Sequence, residues 1–279
     1  MSFSFECFAV THIGNHRKSN EDNFYIGENI SPEEQLSMSQ IDIKSIHKEI
    51  KLDGTLNRIF AVSDGMGGHD YGEVASYIVT SALDEFSTEQ SVRVCRSKSE
   101  KFEFIQAFQE MIDNTNLKIN EFANEKNVFD NMGATLSGVI FFSDEAAPIN
   151  IGDSTTFLFE KGKLQKMTRD DNESTMFEDN PSKKLVSNGK RLTKYFGLPS
   201  SNGVLTATIS KPINLKSGQI YLIASDGLTD SLTENEISQI ILAQKDNTEN
   251  AVNILLENSL NNENGGRDNI TIVLIKVSK

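Results

Sequence analysis

Three aspartates stand where apolar runs meet glycine-bearing turns. Asp64 closes the run in FAVSDGMGGHDYGE (60–73), Asp226 closes the run in YLIASDGLTD (221–230), and Asp268 opens the run in GGRDNITIVLI (265–275). A carboxylate at the end of a buried strand is expensive to desolvate unless something positive neutralises it. Hard cations such as Mg²⁺ and Mn²⁺ prefer oxygen-only ligands. The pattern reads as a metal-dependent hydrolase site assembled from distant parts of the chain. An isolated Asp-Gly is ordinarily a turn, and Asp53-Gly54 is read as one. Asp64 and Asp226 differ because the strands before them are too apolar to leave a bare charge at the end.

Other segments supply further groups. In RKSNEDN (17–23), Arg17 precedes Glu21 and Asp22 closely enough to share their surroundings. Its guanidinium could clamp a phosphate through two parallel hydrogen bonds, or simply pair with a surface glutamate. Glu21 and Asp22 could ligate a cation directly or through water. Gly65, Gly67 and Gly68 invite comparison with a phosphate loop, but the dinucleotide fingerprint needs glycine where Asp70 stands, and no G-x-x-x-x-G-K-[ST] occurs. Closely spaced glycines also let a backbone carbonyl approach a cation, which is the use preferred here.

The elements that must position these groups follow from periodicity. Strands are expected at 3–13, 23–26, 58–63, 135–142, 148–151, 155–160, 163–167, 204–209, 219–225 and 269–277. The block from 135 to 167 suggests a meander. Helices are expected at 72–86, 100–125, 233–243 and 247–260; the second shows Ile105, Phe108, Ile112, Ile119 and Phe122 on one core-facing stripe. Residues 28–57 are polar and of mixed charge, with Ile43, Ile46 and Ile50 at helical spacing, and read as a surface insertion, a helix or hairpin; the alternative is a partner-docking element. Residues 169–196 are loop-like, with Asn188-Gly189 as a turn. Strands in runs and helices in pairs favour α+β with mostly antiparallel sheet. No repeat, low-complexity tract or linker divides the chain, so 1–279 is read as one domain.

Taken together, eight segments resemble, in order, the PPM family of PP2C-like metal-dependent protein serine/threonine phosphatases. They are RKSNEDN, FAVSDGMGGHDYGE, NMGATLSGV (131–139), INIGDST (149–155), MTRDDNE (167–173), RLTKYFG (191–197), YLIASDGLTD and GGRDNITIV. The resemblance implies an antiparallel β-sandwich flanked by helices, in α-β-β-α layers, with metals at one end of the sandwich. It implies that Asp64 bridges two Mn²⁺ or Mg²⁺ ions, with the Gly65 carbonyl as another ligand. Asp226 and Asp268 would complete one metal and Glu21 would serve the other. Asp153 would hold a third, weaker metal together with Asp226. Asp22, Asp230 and Asn269 match positions behind the ligands. A metal-activated water would attack phosphorus without a covalent intermediate, and Arg17 would stabilise charge on the phosphoryl oxygens.

Three departures from the family pattern stand out. Met66 replaces a histidine that is a candidate general acid; the methionine form resembles the bacterial branch, and proton donation then falls to metal-bound water or His69, which is otherwise a turn or supporting histidine. Thr155 replaces an arginine in GDST, and Asn172 replaces a histidine in MTRDDNE, at the start of the family's flap (169–196).

Composition narrows the alternatives. Net charge is −13, which argues against a nucleic-acid binder. Two cysteines, Cys7 and Cys95, fit a reduced, cytoplasmic protein. No signal peptide is evident, and no stretch reaches the ~18 apolar residues of a membrane span. The four histidines, His12, His16, His47 and His69, all lie in the N-terminal quarter, too few and too clustered for a histidine-rich dinuclear phosphatase. A cysteine-dependent phosphatase needs an arginine cradling the phosphate; the matching positions, six beyond each cysteine, hold Ile13 and Lys101. HExxH and G-x-S-x-G are absent. The remaining alternative is a catalytically inactive phosphoprotein-binding module. The reading of an active enzyme implies phosphoprotein substrates, a cognate serine/threonine kinase and its targets as partners, and a monomer.

Overall fold

The computed structural model describes residues 3–39, 42–51, 58–66, 71–90, 97–128, 132–179, 189–263 and 265–279. The strands are β1 (Ser4–His12), β2 (Asn23–Tyr25), β3 (Lys44–Lys51), β4 (Arg58–Ser63), β5 (Gly65–Met66), β6 (Gly133–Ala134), β7 (Leu136–Phe141), β8 (Glu145–Ile151), β9 (Thr155–Glu160), β10 (Lys163–Lys166), β11 (Thr208–Ile209), β12 (Ile213–Asn214), β13 (Ile220–Ala224) and β14 (Ile270–Ser278). The helices are α1 (Pro32–Ser37), α2 (Gly72–Gln90), α3 (Lys98–Lys126), α4 (Glu173–Asp179), α5 (Asp226–Thr229), α6 (Glu234–Ala243) and α7 (Thr248–Asn261).

Two antiparallel sheets pack face to face. One runs β10-β9-β13-β14-β1-β3 and the other β11-β8-β7-β4-β2, with β12 also on β8; β5 and β6 form a small ribbon. The layers follow from strand alternation. On β1, Phe5, Cys7 and Ala9 point between the sheets, where they meet Phe60, Phe141, Tyr221 and Val273. Phe8 and Val10 point the other way, onto Ile237, Ile241, Val252 and Leu255 of α6 and α7. The opposite sheet buries Ile59, Ala61 and Ile140 against Val79, Leu83, Phe108 and Ile112 of α2 and α3. The result is the α-β-β-α sandwich, with three apolar layers. Because central strands are buried on both faces, they read as continuous apolar runs.

The long helices fall where periodicity places them. Phe108, Ile112 and Ile119 of α3 are buried, Phe104 joins them, and Ile105 and Phe122 are half-buried. Ser97 caps α3 through a reciprocal bond pair with Glu100, and Asn127 ends it in the left-handed conformation.

Three expectations change. Residues 135–167 do not form one meander. The β7–β8 hairpin lies in one sheet and β9–β10 in the other, so the Gly152–Ser154 turn crosses between sheets. That crossing carries Asp153 to the end of the sandwich. Secondly, the helical spacing of Ile43, Ile46 and Ile50 is overridden by pairing: β3 adds to the edge of β1, with Phe5 opposite Ile50 and Ala9 opposite Ile46. Among the described residues of the insertion, helical order is confined to α1. Thirdly, the loop-like 169–196 stretch contains α4, and the strand expected at 204–209 shrinks to Thr208–Ile209. Asp53-Gly54, His69, Asn188 and Cys95 lie outside the described residues, whereas Cys7 is buried between the sheets. Among the described residues no helix is long and apolar enough to cross a membrane.

Candidate active site

One end of the sandwich gathers the chemistry. Asp64 follows β4, Asp226 follows β13, Asp268 precedes β14, and Asp153 sits in the crossover from β8 to β9. The β1–β2 connection adds Arg17 and Glu21. These residues line one cavity of about 310 Å³, together with Gly65, Met66, Thr135 and Leu192. A larger groove of about 590 Å³ between α2 and α3 is lined by ordinary helix-surface residues, without converging catalytic groups.

Each carboxylate is fixed by its backbone. Asp64 is locked to Thr135 twice: its N–H donates to Thr135 Oγ1 at 3.0 Å, and its carbonyl accepts from the Thr135 N–H at 2.9 Å. Thr135 Oγ1 also bonds Ser154 Oγ at 2.7 Å, which ties the turn bearing Asp153 to the turn bearing Asp64. The N–H of Gly65 donates to the Glu21 carbonyl at 3.1 Å. A side chain at Gly65 would place Cβ 2.2 Å from the Gly72 carbonyl, and one at Gly72 would place it 2.4 Å from Glu21 Oε2. Gly65 is therefore required for close backbone approach, whereas at Gly72 the Glu21 side chain would have to move aside. Asn269 holds the N-terminal loop: its amide donates to the Ile13 and Ser19 carbonyls at 2.8 and 2.9 Å, and its Oδ1 accepts from the Glu21 N–H at 2.8 Å.

Asp22, Asp230 and Asn269 stand outside the cavity lining. Asp22 is buried, with 1% exposure, and its Oδ2 accepts from Ser225 Oγ at 2.7 Å. Asp230 pairs with Lys190 at the rim. Arg17 is bonded to Asp268 at 2.6 Å. Its side chain is half exposed at the mouth of the cavity, and a phosphate would have to compete with Asp268 for it.

Negative charge is concentrated here beyond what the surroundings neutralise. Burial pushes the Asp22 carboxyl up to about 7. Asp153 is pushed up to about 6 by burial and by neighbouring Asp170. Asp64 rises well above the usual range through burial and the charges of Asp22, Asp226 and Asp268. Asp226 rises similarly through burial, Asp153 and Asp268. Glu21 is raised by burial against the opposing pull of Arg17. Asp226 Oδ1 is buried without a hydrogen-bond partner among the described residues. An unpartnered carboxylate oxygen in such a setting suits a cation. The donor set is all oxygen, which fits Mg²⁺ or Mn²⁺. The carboxylates are spread around the cavity wall; among the described residues no three His, Cys, Asp or Glu side chains close into a ready-made cluster.

Sequence reading missed three contributors. Thr135 was noted only within a longer motif, yet it positions Asp64; a hydroxyl at the head of the apolar run TLSGVIFF was the available clue. Leu192 lines the cavity from the flap segment. Ser225 caps no helix with its side chain and instead supports Asp22.

An antiparallel sandwich with an oxygen-lined acidic cavity at one end defines a hydrolase of the metal-dependent phosphatase class. The protein phosphatase 2C profile matches residues 50–262, and the chain belongs to that family. It is a protein phosphatase, a phosphoric monoester hydrolase. The chain is similar to the serine/threonine phosphatase stp of Listeria monocytogenes serotype 4b, 28% identical over 224 residues, covering 78% of this chain and 84% of that protein. It superposes on the catalytic domain of the serine/threonine phosphatase PstP in complex with two manganese ions, with TM-score 0.73, 22% identity and coverage of 99% and 100% of the two chains. The S. agalactiae serine/threonine phosphatase matches with TM-score 0.73, 21% identity and coverage of 98% and 99%. At these identities the two structural matches establish the fold. The inactive-module alternative is not favoured by this company.

Proposed function

We propose that this phosphatase hydrolyses phosphoserine and phosphothreonine in proteins at the acidic cavity, with two Mn²⁺ or Mg²⁺ ions as cofactors. The observation that carries this reading is the cluster of Asp64, Asp153, Asp226 and Asp268 around a cavity that among the described residues is lined by a single cation, Arg17, already paired with Asp268. Asp64, the Gly65 carbonyl, Asp226, Asp268 and Glu21 would hold the pair, and Asp153 with Asp226 a third ion. Bound there, divalent cations supply a water nucleophile ionised near neutral pH and cancel the field that would repel a phosphate.

The chain's own residues do the rest. Arg17 exchanges its bond with Asp268 for the phosphoryl oxygens and orients them. Thr135 holds the Asp64 backbone while charge redistributes. Met66 and Leu192 form the apolar part of the wall and limit bulk water. Met66 has no proton to give, so the leaving alkoxide takes its proton from another group. Asp22, Asp230 and Asn269 support the ligands from behind. Phosphoproteins, with a cognate serine/threonine kinase and its targets, are the partners this reading implies, and a cytoplasmic monomer forming one domain over 1–279 fits it.

Phosphate release from a phosphothreonine peptide, with Mn²⁺ and with chelator, tests the proposal. Asp226→Asn should reduce Mn²⁺-dependent turnover more than about 100-fold, beyond the range seen when groups behind a ligand are lost. Equal turnover in chelator, or full activity in Asp226→Asn, would sink it.

A further inference from the structure

Helix α1 turns the wrong residue inward. Of its sequence PEEQLS, the buried member is Gln35, at 0% exposure, whereas the adjacent Leu36 is 55% exposed. Amphipathic packing would put the leucine inside. Burying an amide instead is tolerated only when its hydrogen bonds are made. Here they are: Nε2 donates to the Asp22 carbonyl at 2.7 Å and lies 3.3 Å from Ser76 Oγ on α2, and Oε1 accepts from Asn23 Nδ2 at 3.3 Å.

The same short stretch of chain is gripped from the insertion at two further points. Asn23 exchanges hydrogen bonds with the Ile30 backbone, donating to its carbonyl at 2.7 Å and accepting from its N–H at 3.1 Å. Asn20 Nδ2 contacts Met38 Sδ at 3.4 Å. Between these anchors stand Glu21, which lines the cavity, and Asp22, which meets Ser225 beside Asp226. The capping box of α1, Ser31 with Glu34, fixes the helix that presents Gln35.

We propose that Gln35 is a positioning residue whose amide fixes the Asn20–Asn23 stretch so that Glu21 and Asp22 keep the arrangement divalent cations require. This rests on the cation reading given under Proposed function. The insertion is then part of the active-site scaffold as well as a surface element.

The test uses the full chain and Mn²⁺ alone, titrated by calorimetry without substrate, alongside kcat and KM for a phosphothreonine peptide at saturating Mn²⁺. Gln35→Met keeps the volume and removes the amide. Asn29→Ala loosens the same insertion elsewhere, since Asn29 donates to Thr80 and Ser81 of α2 at 3.3 and 3.2 Å and does not contact Asp22. If Gln35→Met does not fold, Gln35→Asn replaces it, keeping an amide too short to reach the Asp22 carbonyl. The expected result is Mn²⁺ affinity weakened about tenfold in the Gln35 variant with KM unchanged. Asn29→Ala should remain within about twofold of wild type. Unchanged Mn²⁺ affinity in the folded Gln35 variant overturns the inference, as does equal weakening in Asn29→Ala. Failure of the wild type to take up Mn²⁺ overturns the underlying cation reading instead.

Discussion

Replacing Asp22 with asparagine should make the metal-free protein more stable, by an amount that grows as pH rises from about 4.5 and is complete above about 7. Asp22 is 1% exposed, and its carboxyl is pushed from 3.8 up to about 7 by burial. The folded state therefore binds this proton more tightly than the unfolded chain does. The stability linked to it is complete below about pH 4 and is lost as pH rises to about 7. A shift of about three units, at about 1.4 kcal/mol each, makes the ionised carboxylate cost about 4 kcal/mol above that range. Asparagine retains the shape and an acceptor for Ser225 Oγ, so the mismatch it introduces is about 1 kcal/mol. The net gain is about 3 kcal/mol at pH 8 and close to zero at pH 4.5. For 279 residues that corresponds to about 5 °C in Tm.

Thermal melting in chelator, wild type against Asp22→Asn at pH 4.5 and pH 8, reads this directly. The difference between the two proteins must grow with pH. A Tm change of the same size and sign at both pH values would refute the argument, because it would show that packing rather than charge burial governs the site. A lower Tm for the variant at pH 8 would refute it more strongly, by showing that Ser225 and its neighbours fully compensate the charge.

Two further substitutions act on the frame around the carboxylates. Thr135→Val should cost about 1–3 kcal/mol in urea unfolding, by leaving the Asp64 N–H unpaired, and should lower kcat with little change in KM; a KM-only effect would contradict the positioning role. Gly65→Ala should destabilise by at least about 1–3 kcal/mol, because its Cβ would meet the Gly72 carbonyl at 2.2 Å; a variant with unchanged unfolding midpoint would show that β5 shifts freely.

Much of this molecule was legible in its sequence because its central strands are enclosed on both faces. Runs such as ITIVLIKV and IYLIA could be little else, and the acidic residues at their ends marked where the sandwich opens. What stayed hidden depends on contacts distant in sequence. The GDST turn has the composition of a hairpin, and nothing local says that its strands belong to different sheets. Ile43, Ile46 and Ile50 satisfy a helical period by coincidence, and the free edge of β1 decides for a strand. Gln35 runs against the hydrophobic pattern for a different reason: its burial is set by the Asp22 carbonyl, and a polar partner inverts the hydrophobic rule.

The signs of these substitutions separate two kinds of residue at one site. Asp22 and Asp226 oppose folding when ionised, since burial and neighbouring carboxylates raise both. Their amide variants should therefore melt higher in chelator while Asp226→Asn loses turnover. Thr135 and Gly65 support folding and function together, because the same close contacts build the turn and place the ligands. Three apolar layers, formed by residues that never reach the cavity, tolerate the repulsion. A cation-binding site of this kind can be carried in a folded chain before its cations arrive, provided the strain is confined to the strand ends. Here Asp64, Asp226 and Asp268 all lie at such ends, and none interrupts a strand of the sandwich.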